Sequence, residues 1–237
     1  MVMRLLLPLK EVSDINLKDF LQTSTIFSGL TDEELKYILD IINVKEFKRN
    51  EIIFFEGDEG ISFYLLVTGE IRIYKLSQEG REKTLALLDE GNFFGEMALL
   101  ENKKRSANAQ TVSPSQLAVI HKENFNRLIE KYPQIASKMI VHLADRLRRA
   151  NQQIEALTFK DVQGRLANFL LQYAKNDVKD GPTPLKKKFT HQDIANLIGS
   201  SRETVTRLLN QFQEKDLILI EGRTIFVNNT KGLKGIR

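Results

Sequence analysis

Two short runs carry side chains whose types and spacing suit recognition chemistry. The first is Ser201-Arg202-Glu203-Thr204-Val205-Thr206-Arg207. Arginine forks onto guanine O6 and N7, and glutamate accepts from cytosine N4. Arg202, Glu203 and Arg207 are therefore candidate base readers. Gln192, Ser201 and Thr204 suit phosphate contacts, which fix register without carrying sequence information. The second run is Gly91 to Ala107, which holds Phe94-Gly95-Glu96-Met97-Ala98-Leu99 and Arg105-Ser106. Gly95 admits close backbone approach to a ligand. Glu96 to Leu100 suits one helical turn with its N–H groups toward an anion. Arg105 can fork onto a phosphate and Ser106 can add a hydroxyl. Glu96 fits such a site once a ribose supplies hydroxyls that need an acceptor. A sheet-to-loop turn with Glu96 and Arg105 as a structural ion pair accounts for the same residues.

Composition removes other chemistries. The chain has no cysteine, which excludes disulfides, thiolate metal sites and iron–sulfur clusters. His121, His142 and His191 are scattered without metal-ligand spacing. There is no nucleophile–base pair and no carboxylate pair, so neither a catalytic nor a metal site is expected. At 237 residues, 42% hydrophobic and 28% charged, the chain is long enough for one large or two small globular domains. No apolar run approaches the ~20 residues of a bilayer span. Met1 to Pro8 is too short for the apolar core of a signal peptide, so a cytoplasmic location is expected. The net charge is +4, but it is unevenly spread: Arg165 to Arg237 holds 13 basic and 7 acidic residues. That asymmetry points the C-terminal third toward a polyanion, although a solvated basic face gives the same count.

The elements that must position these residues follow from the hydrophobic period. Residues 14–42 read as helical, with a capping box at Thr31 and Glu34. From Val44 to about His121 the period shortens toward two, with short β-rich runs between glycine-bearing turns. That predicts a jelly-roll-like double sheet. From Pro133 to about Leu157 the helical period returns. Ile135, Met139, Leu143, Leu147, Ala150, Ile154 and Leu157 form one apolar stripe, narrow enough for a coiled-coil seam between two copies. Asp161 caps a further helix over Val162–Ala174, and Lys175–Lys188 reads as a loop. Thr190–Ile198 and the helix capped by Ser200 or Ser201 flank Gly199 as a helix-turn-helix. Ile218–Ile220 and Thr224–Val227 form a hairpin around Glu221-Gly222-Arg223. The expected class is α+β, in three parts. An effector-sensing β-domain with N-terminal helices spans 1–132, a dimerisation helix and hinge span 133–160, and a winged helix-turn-helix spans 161–237.

This order, with the Phe94–Leu99 and Arg105–Ala107 motif and the Ser201–Arg207 motif, resembles the Crp/Fnr superfamily of bacterial transcription regulators. The likeness covers about Phe27 to Val227. It implies a homodimeric, cytoplasmic, DNA-binding regulator, an activator in partnership with RNA polymerase, with cyclic AMP or a related cyclic nucleotide as effector and no covalent cofactor. It implies that Gly95 lines the pocket, Glu96 holds the ribose, and Arg105 and Ser106 hold the cyclic phosphate. Leu157-Thr158-Phe159-Lys160-Asp161-Val162 resembles the family hinge, which places Phe159 and Asp161 there. Where cyclic-AMP-responsive members carry a Thr-Ser pair that touches adenine, this chain has Ala150 and Asn151. Ala150 can neither donate nor accept with its side chain, whereas Asn151 can do both. The Ser201–Arg207 match implies a TGTGA-like half-site. A same-fold regulator without a small effector, controlled by its abundance, stays open beside this reading.

Overall fold

The computed structural model describes residues 17–175 and 182–236. Met1–Pro8, the first three positions of the expected N-terminal helical stretch, the Asp180-Gly181 step and Arg237 lie outside the described residues. The chain divides into two compact units. One holds the described residues up to Ile73 together with Ala86–Val141, and the other holds Tyr74–Leu85 and the described residues from His142 onward.

In the first unit, α1 (Leu17–Thr23) and α2 (Asp32–Ile41) precede the sheets. The Thr31–Glu34 capping box starts α2 as expected: the Thr31 hydroxyl accepts from Glu34 N, and the Glu34 carboxylate accepts from Thr31 N at 2.7 Å. The strands are β1 (Asn43–Phe47), β2 (Ile52–Phe54), β3 (Ser62–Thr68), β4 (Ile71–Leu76), β5 (Glu82–Leu88) and β6 (Phe93–Phe94). A five-residue helix, α3 (Glu96–Leu100), separates these from β7 (Asn108–Thr111) and β8 (Ser115–His121). Two four-stranded sheets form, ordered β1-β8-β3-β6 and β2-β7-β4-β5, which is the expected double sheet.

The central strand β3 shows why the sheets pack. Successive side chains of a strand point to opposite faces. Phe63, Leu65 and Val67 join the core under the helices, with Leu21, Phe27, Leu35 and Phe125. Leu66 joins a second core with Ile71, Phe94, Ala109 and Val119. Behind β8 come α4 (Lys122–Lys131) and α5 (Pro133–Phe159). Here one expectation is corrected. Ile135 and Met139 are only 1% and 3% exposed, packed into the first unit's own helical core. They are filled positions of a folded domain, so they cannot form a seam with a second copy. The stripe is continuous in sequence, but its first turns serve the chain itself.

In the second unit, α6 (Val162–Tyr173), β9 (Thr183–Pro184), α7 (His191–Ile198), α8 (Arg202–Glu214), β10 (Ile218–Glu221), β11 (Thr224–Val227) and α9 (Thr230–Lys234) follow in order. Asp161 caps α6 by accepting from Gly164 N at 2.8 Å. Leu166, Leu170, Ile194, Ile198, Val205, Leu208, Phe212, Ile218 and Ile225 share one core. The hairpin pairs Ile218 with Val227 and Glu221 with Thr224. The predicted loop is interrupted by β9, which pairs with β11 and makes a three-stranded sheet.

Candidate effector cassette and nucleic-acid interface

The cassette is built by β6, α3 and the loop that precedes β7. Gly95 is the N-cap of α3 in the left-handed region, at φ +81°. A side chain there would be strained by that φ, and a Cβ would lie 2.7 Å from Arg105 Nη1. Only glycine lets the backbone and the arginine approach this closely. Arg105 is 4% exposed. Its Nη1 donates to Gly95 O at 2.6 Å and its Nη2 to Ser62 O at 2.7 Å. The guanidinium carbon sits 4.3 Å from the centre of the Phe54 ring and 5.7 Å from that of Tyr64. Arg105 Nε is buried with no hydrogen-bond partner. Burial pulls Arg105 below its ordinary value, and its interactions with Tyr64, Glu96 and Asp58 oppose that. An arginine stays charged even so. Burial raises the Tyr64 hydroxyl above its ordinary value, with Arg105 opposing, so it stays neutral near pH 7.

Glu96 is 2% exposed on the first turn of α3, and Ser106 is exposed beside Arg105. Gly95, Glu96, Arg105 and Ser106 are thus brought together in one unit. Asn151 belongs to the other unit, exposed on α5. Gly95 O and Ser62 O each take one N–H of the guanidinium end. A guanidinium carries five N–H donors, so Nε–H and one N–H on each Nη remain for an anion. Phe54 and Tyr64 are functional neighbours that sequence reasoning missed. On β-strands their aromatic rings read as ordinary core.

The expected base-reading residues lie on α8. Thr190 caps α7 and forms a capping box with Asp193. Gly199, at φ +68°, ends α7 in the left-handed turn between the helices. Ser201 caps α8 by accepting from Thr204 N at 3.1 Å, and its hydroxyl donates to Thr204 Oγ1 at 3.0 Å. Thr204 Oγ1 accepts that bond and keeps its own proton for a further acceptor. Gln192 is exposed, and its Nε2 donates to Asn196 Oδ1 at 2.8 Å. Val205, Leu208 and Leu209 are buried. That leaves Arg202, Glu203 and Arg207 exposed on the opposite side, where they line a shallow concavity with Thr206 and Asn210. Asn210 was not singled out, although its position four residues after Thr206 puts it on the same face. The Glu203 carboxyl is held below its ordinary value by its own backbone N–H, with the Ser201 hydroxyl and the Arg202 charge adding to this. It stays an ionised acceptor at neutral pH.

Arg165 braces this motif from behind. Its Nε donates to Ile198 O at 2.9 Å, Nη2 to Gly199 O at 3.4 Å and Nη1 to Lys160 O at 3.0 Å. A cation on the last carbonyls of α7 also complements the helix dipole.

A cyclic nucleotide-binding domain family matches residues 44–132, and a Crp-like helix-turn-helix domain family matches residues 164–236. The chain is 34% identical over 213 residues to the cyclic AMP receptor protein of Thermus thermophilus, covering 90% of this chain and 96% of that one. It is 32% identical over 203 residues to the cAMP-activated global transcriptional regulator CRP of Escherichia coli, covering 85% and 97%. The c-di-GMP-responsive global regulator CLP of Xanthomonas campestris superposes with a TM-score of 0.76 at 25% identity, over 84% of this chain and 100% of that one. The chain therefore belongs to the Crp family of DNA-binding transcription regulators, with a cyclic nucleotide-binding domain followed by a helix-turn-helix domain. Among the described residues no helix is long and apolar enough to cross a membrane.

Proposed function

We propose that this regulator acts in the cytoplasm as a homodimer whose DNA binding is controlled by a small anionic effector, cyclic AMP or a related cyclic nucleotide. The carrying observation is Arg105 Nε, a buried cationic N–H without a partner. Such a group costs about 1–3 kcal/mol or more when left unsatisfied, and an anionic oxygen accepts from it directly. Glu96 stands buried on α3 as an acceptor for ribose hydroxyls, and Ser106 is exposed to add a second donor to the phosphate. Gly95 supplies the close backbone. Asn151, exposed on α5, is a group that can donate to or accept from a base. The cyclic AMP named for the Thermus and Escherichia relatives supports this class of effector, and the c-di-GMP named for CLP widens it.

The dimer forms along the exposed part of α5. Leu147, Ile154 and Leu157 are 63%, 61% and 46% exposed, Ala150 is exposed and Leu143 is half-buried. The effector biases the hinge at Phe159 and Asp161, and so the placement of the recognition helices, only by its differential affinity for two states. Arg202 and Arg207 read guanines and Glu203 reads a cytosine in a TGTGA half-site. Ser201, Thr204 and Gln192 contact phosphates. RNA polymerase is the partner through which the bound regulator activates transcription.

Titration calorimetry with cyclic AMP, cyclic GMP and linear 5′-AMP tests the effector. Saturable binding of a cyclic nucleotide that is weakened in Arg105→Leu supports the reading. A second reading, an effector-free regulator controlled by abundance, is favoured by the two backbone carbonyls that each already take one N–H from Arg105 Nη1 and Nη2. DNA affinity identical with and without every nucleotide would establish that reading instead.

A further inference from the structure

Thr206 lines the concavity on α8 between Arg202 and Asn210, yet its hydroxyl is turned to internal duties. Thr206 Oγ1 donates to Arg202 O at 2.9 Å and lies 2.7 Å from His191 Nδ1. A hydroxyl carries one proton. With it given to Arg202 O, the oxygen accepts from the His191 Nδ1–H, and both bonds fix the rotamer. His191 opens α7, whereas Thr206 lies on α8, so the bond runs between the two helices of the motif. With its proton given away and one of its two lone pairs taken, Thr206 has no donor left for DNA, and its methyl group is the part free to make contact.

We infer that Thr206 is a specificity-determining residue that reads the C5-methyl of a thymine, with His191 as the positioning residue that holds its hydroxyl away. Apolar contact with that methyl is how proteins distinguish thymine in the major groove. Arg202 and Arg207 flank Thr206 along the helix. The thymine it reads is therefore the one between the two guanines of TGTGA. This inference rests on the proposed half-site.

The test uses full-length protein, with and without cyclic AMP, and a palindromic duplex carrying two TGTGA half-sites at fixed salt. Deoxyuridine, which lacks only the methyl, replaces either the middle or the first thymine of each half-site. Wild-type affinity should fall about fourfold per half-site at the middle position, the worth of one buried methyl group, and stay unchanged at the first. Thr206→Ser, which keeps the hydroxyl and loses the methyl, should bind thymine and deoxyuridine duplexes alike. His191→Ala frees the hydroxyl and should reduce the thymine preference without abolishing binding. Wild-type protein that binds the TGTGA duplex tightly but ignores the middle deoxyuridine would overturn this inference and leave the half-site standing. Failure to prefer TGTGA over a scrambled duplex under either condition would overturn the half-site itself, and the inference with it.

Discussion

The cassette and the recognition helix handle polar groups in opposite ways. In the cassette, the arginine is 4% exposed, stacked on Phe54 and bonded to two carbonyls. On α8, Arg202, Glu203 and Arg207 stand exposed, and the buried side of the helix is purely apolar. A site for a small ligand gains from holding its donors rigid and dry, where each hydrogen bond is electrostatically stronger. A site for DNA gains from long side chains that remain free to meet base edges, with the helix axis fixed by caps and core. One region is preorganised at the side chain, the other at the backbone.

The difference can be broken in graded steps. The largest effect is expected from Leu147→Glu, which places a charge on the exposed stripe of α5. Sedimentation at micromolar concentration should show monomers, and specific DNA binding should be lost with the dimer. Arg105→Leu comes next. It removes the Nε–H and leaves the carbonyls of Gly95 and Ser62 without their donor, so nucleotide binding should weaken by at least ~2 kcal/mol in calorimetry. DNA binding without ligand should change little. Glu203→Ala should cost about 1–3 kcal/mol of discrimination at one base pair, read by selection from random DNA, with thermal stability unchanged. Its carboxyl lies below the ordinary carboxylate value, so it stays ionised to a lower pH than an unperturbed glutamate. Discrimination should persist as pH is lowered toward 5 and fade only under stronger acid. Ser201→Ala should cost about 1 kcal/mol of stability through the lost N-cap, seen as a lower thermal midpoint. The smallest effect is on Lys186, Lys187 and Lys188, just before α7. If all three meet phosphates, neutralising them weakens all DNA sequences alike and flattens the salt dependence.

Local signals made much of this molecule legible. Thr31 with Glu34, Thr190, Ser201 and Asp161 each announced a helix start that the structure contains, because a cap needs only neighbours three residues away. The hairpin around Gly222 was equally local. The elements that escaped notice depend on distant partners. Strand β7 reads Asn-Ala-Gln-Thr, with no apolar alternation, and its pairing with β2 is what makes it a strand. Helix α4 has no side-chain cap to announce its start, although Phe125 and Leu128, three residues apart, mark its buried face. The stripe on α5 was read as one seam because periodicity reports a face and not what covers it. Ile135 and Met139 face the core, while Leu147 and Ile154 face outward. In the cassette, Gly95, Glu96 and Arg105 were visible as a motif. That two backbone carbonyls each take an N–H from Arg105 was not, since one of them lies on β3, 43 positions away.

Arg165 bears on mechanics as well as packing. One guanidinium bridges the hinge carbonyl of Lys160 and the turn carbonyls of Ile198 and Gly199. The start of α6 and the corner of the helix-turn-helix are thereby welded into one lever arm. The tie begins one residue after Phe159, the last residue of α5, within the proposed hinge. Under the proposed hinge, a twist at Phe159 carries the start of α6 and the corner of the motif together, because three bonds of one guanidinium tie them.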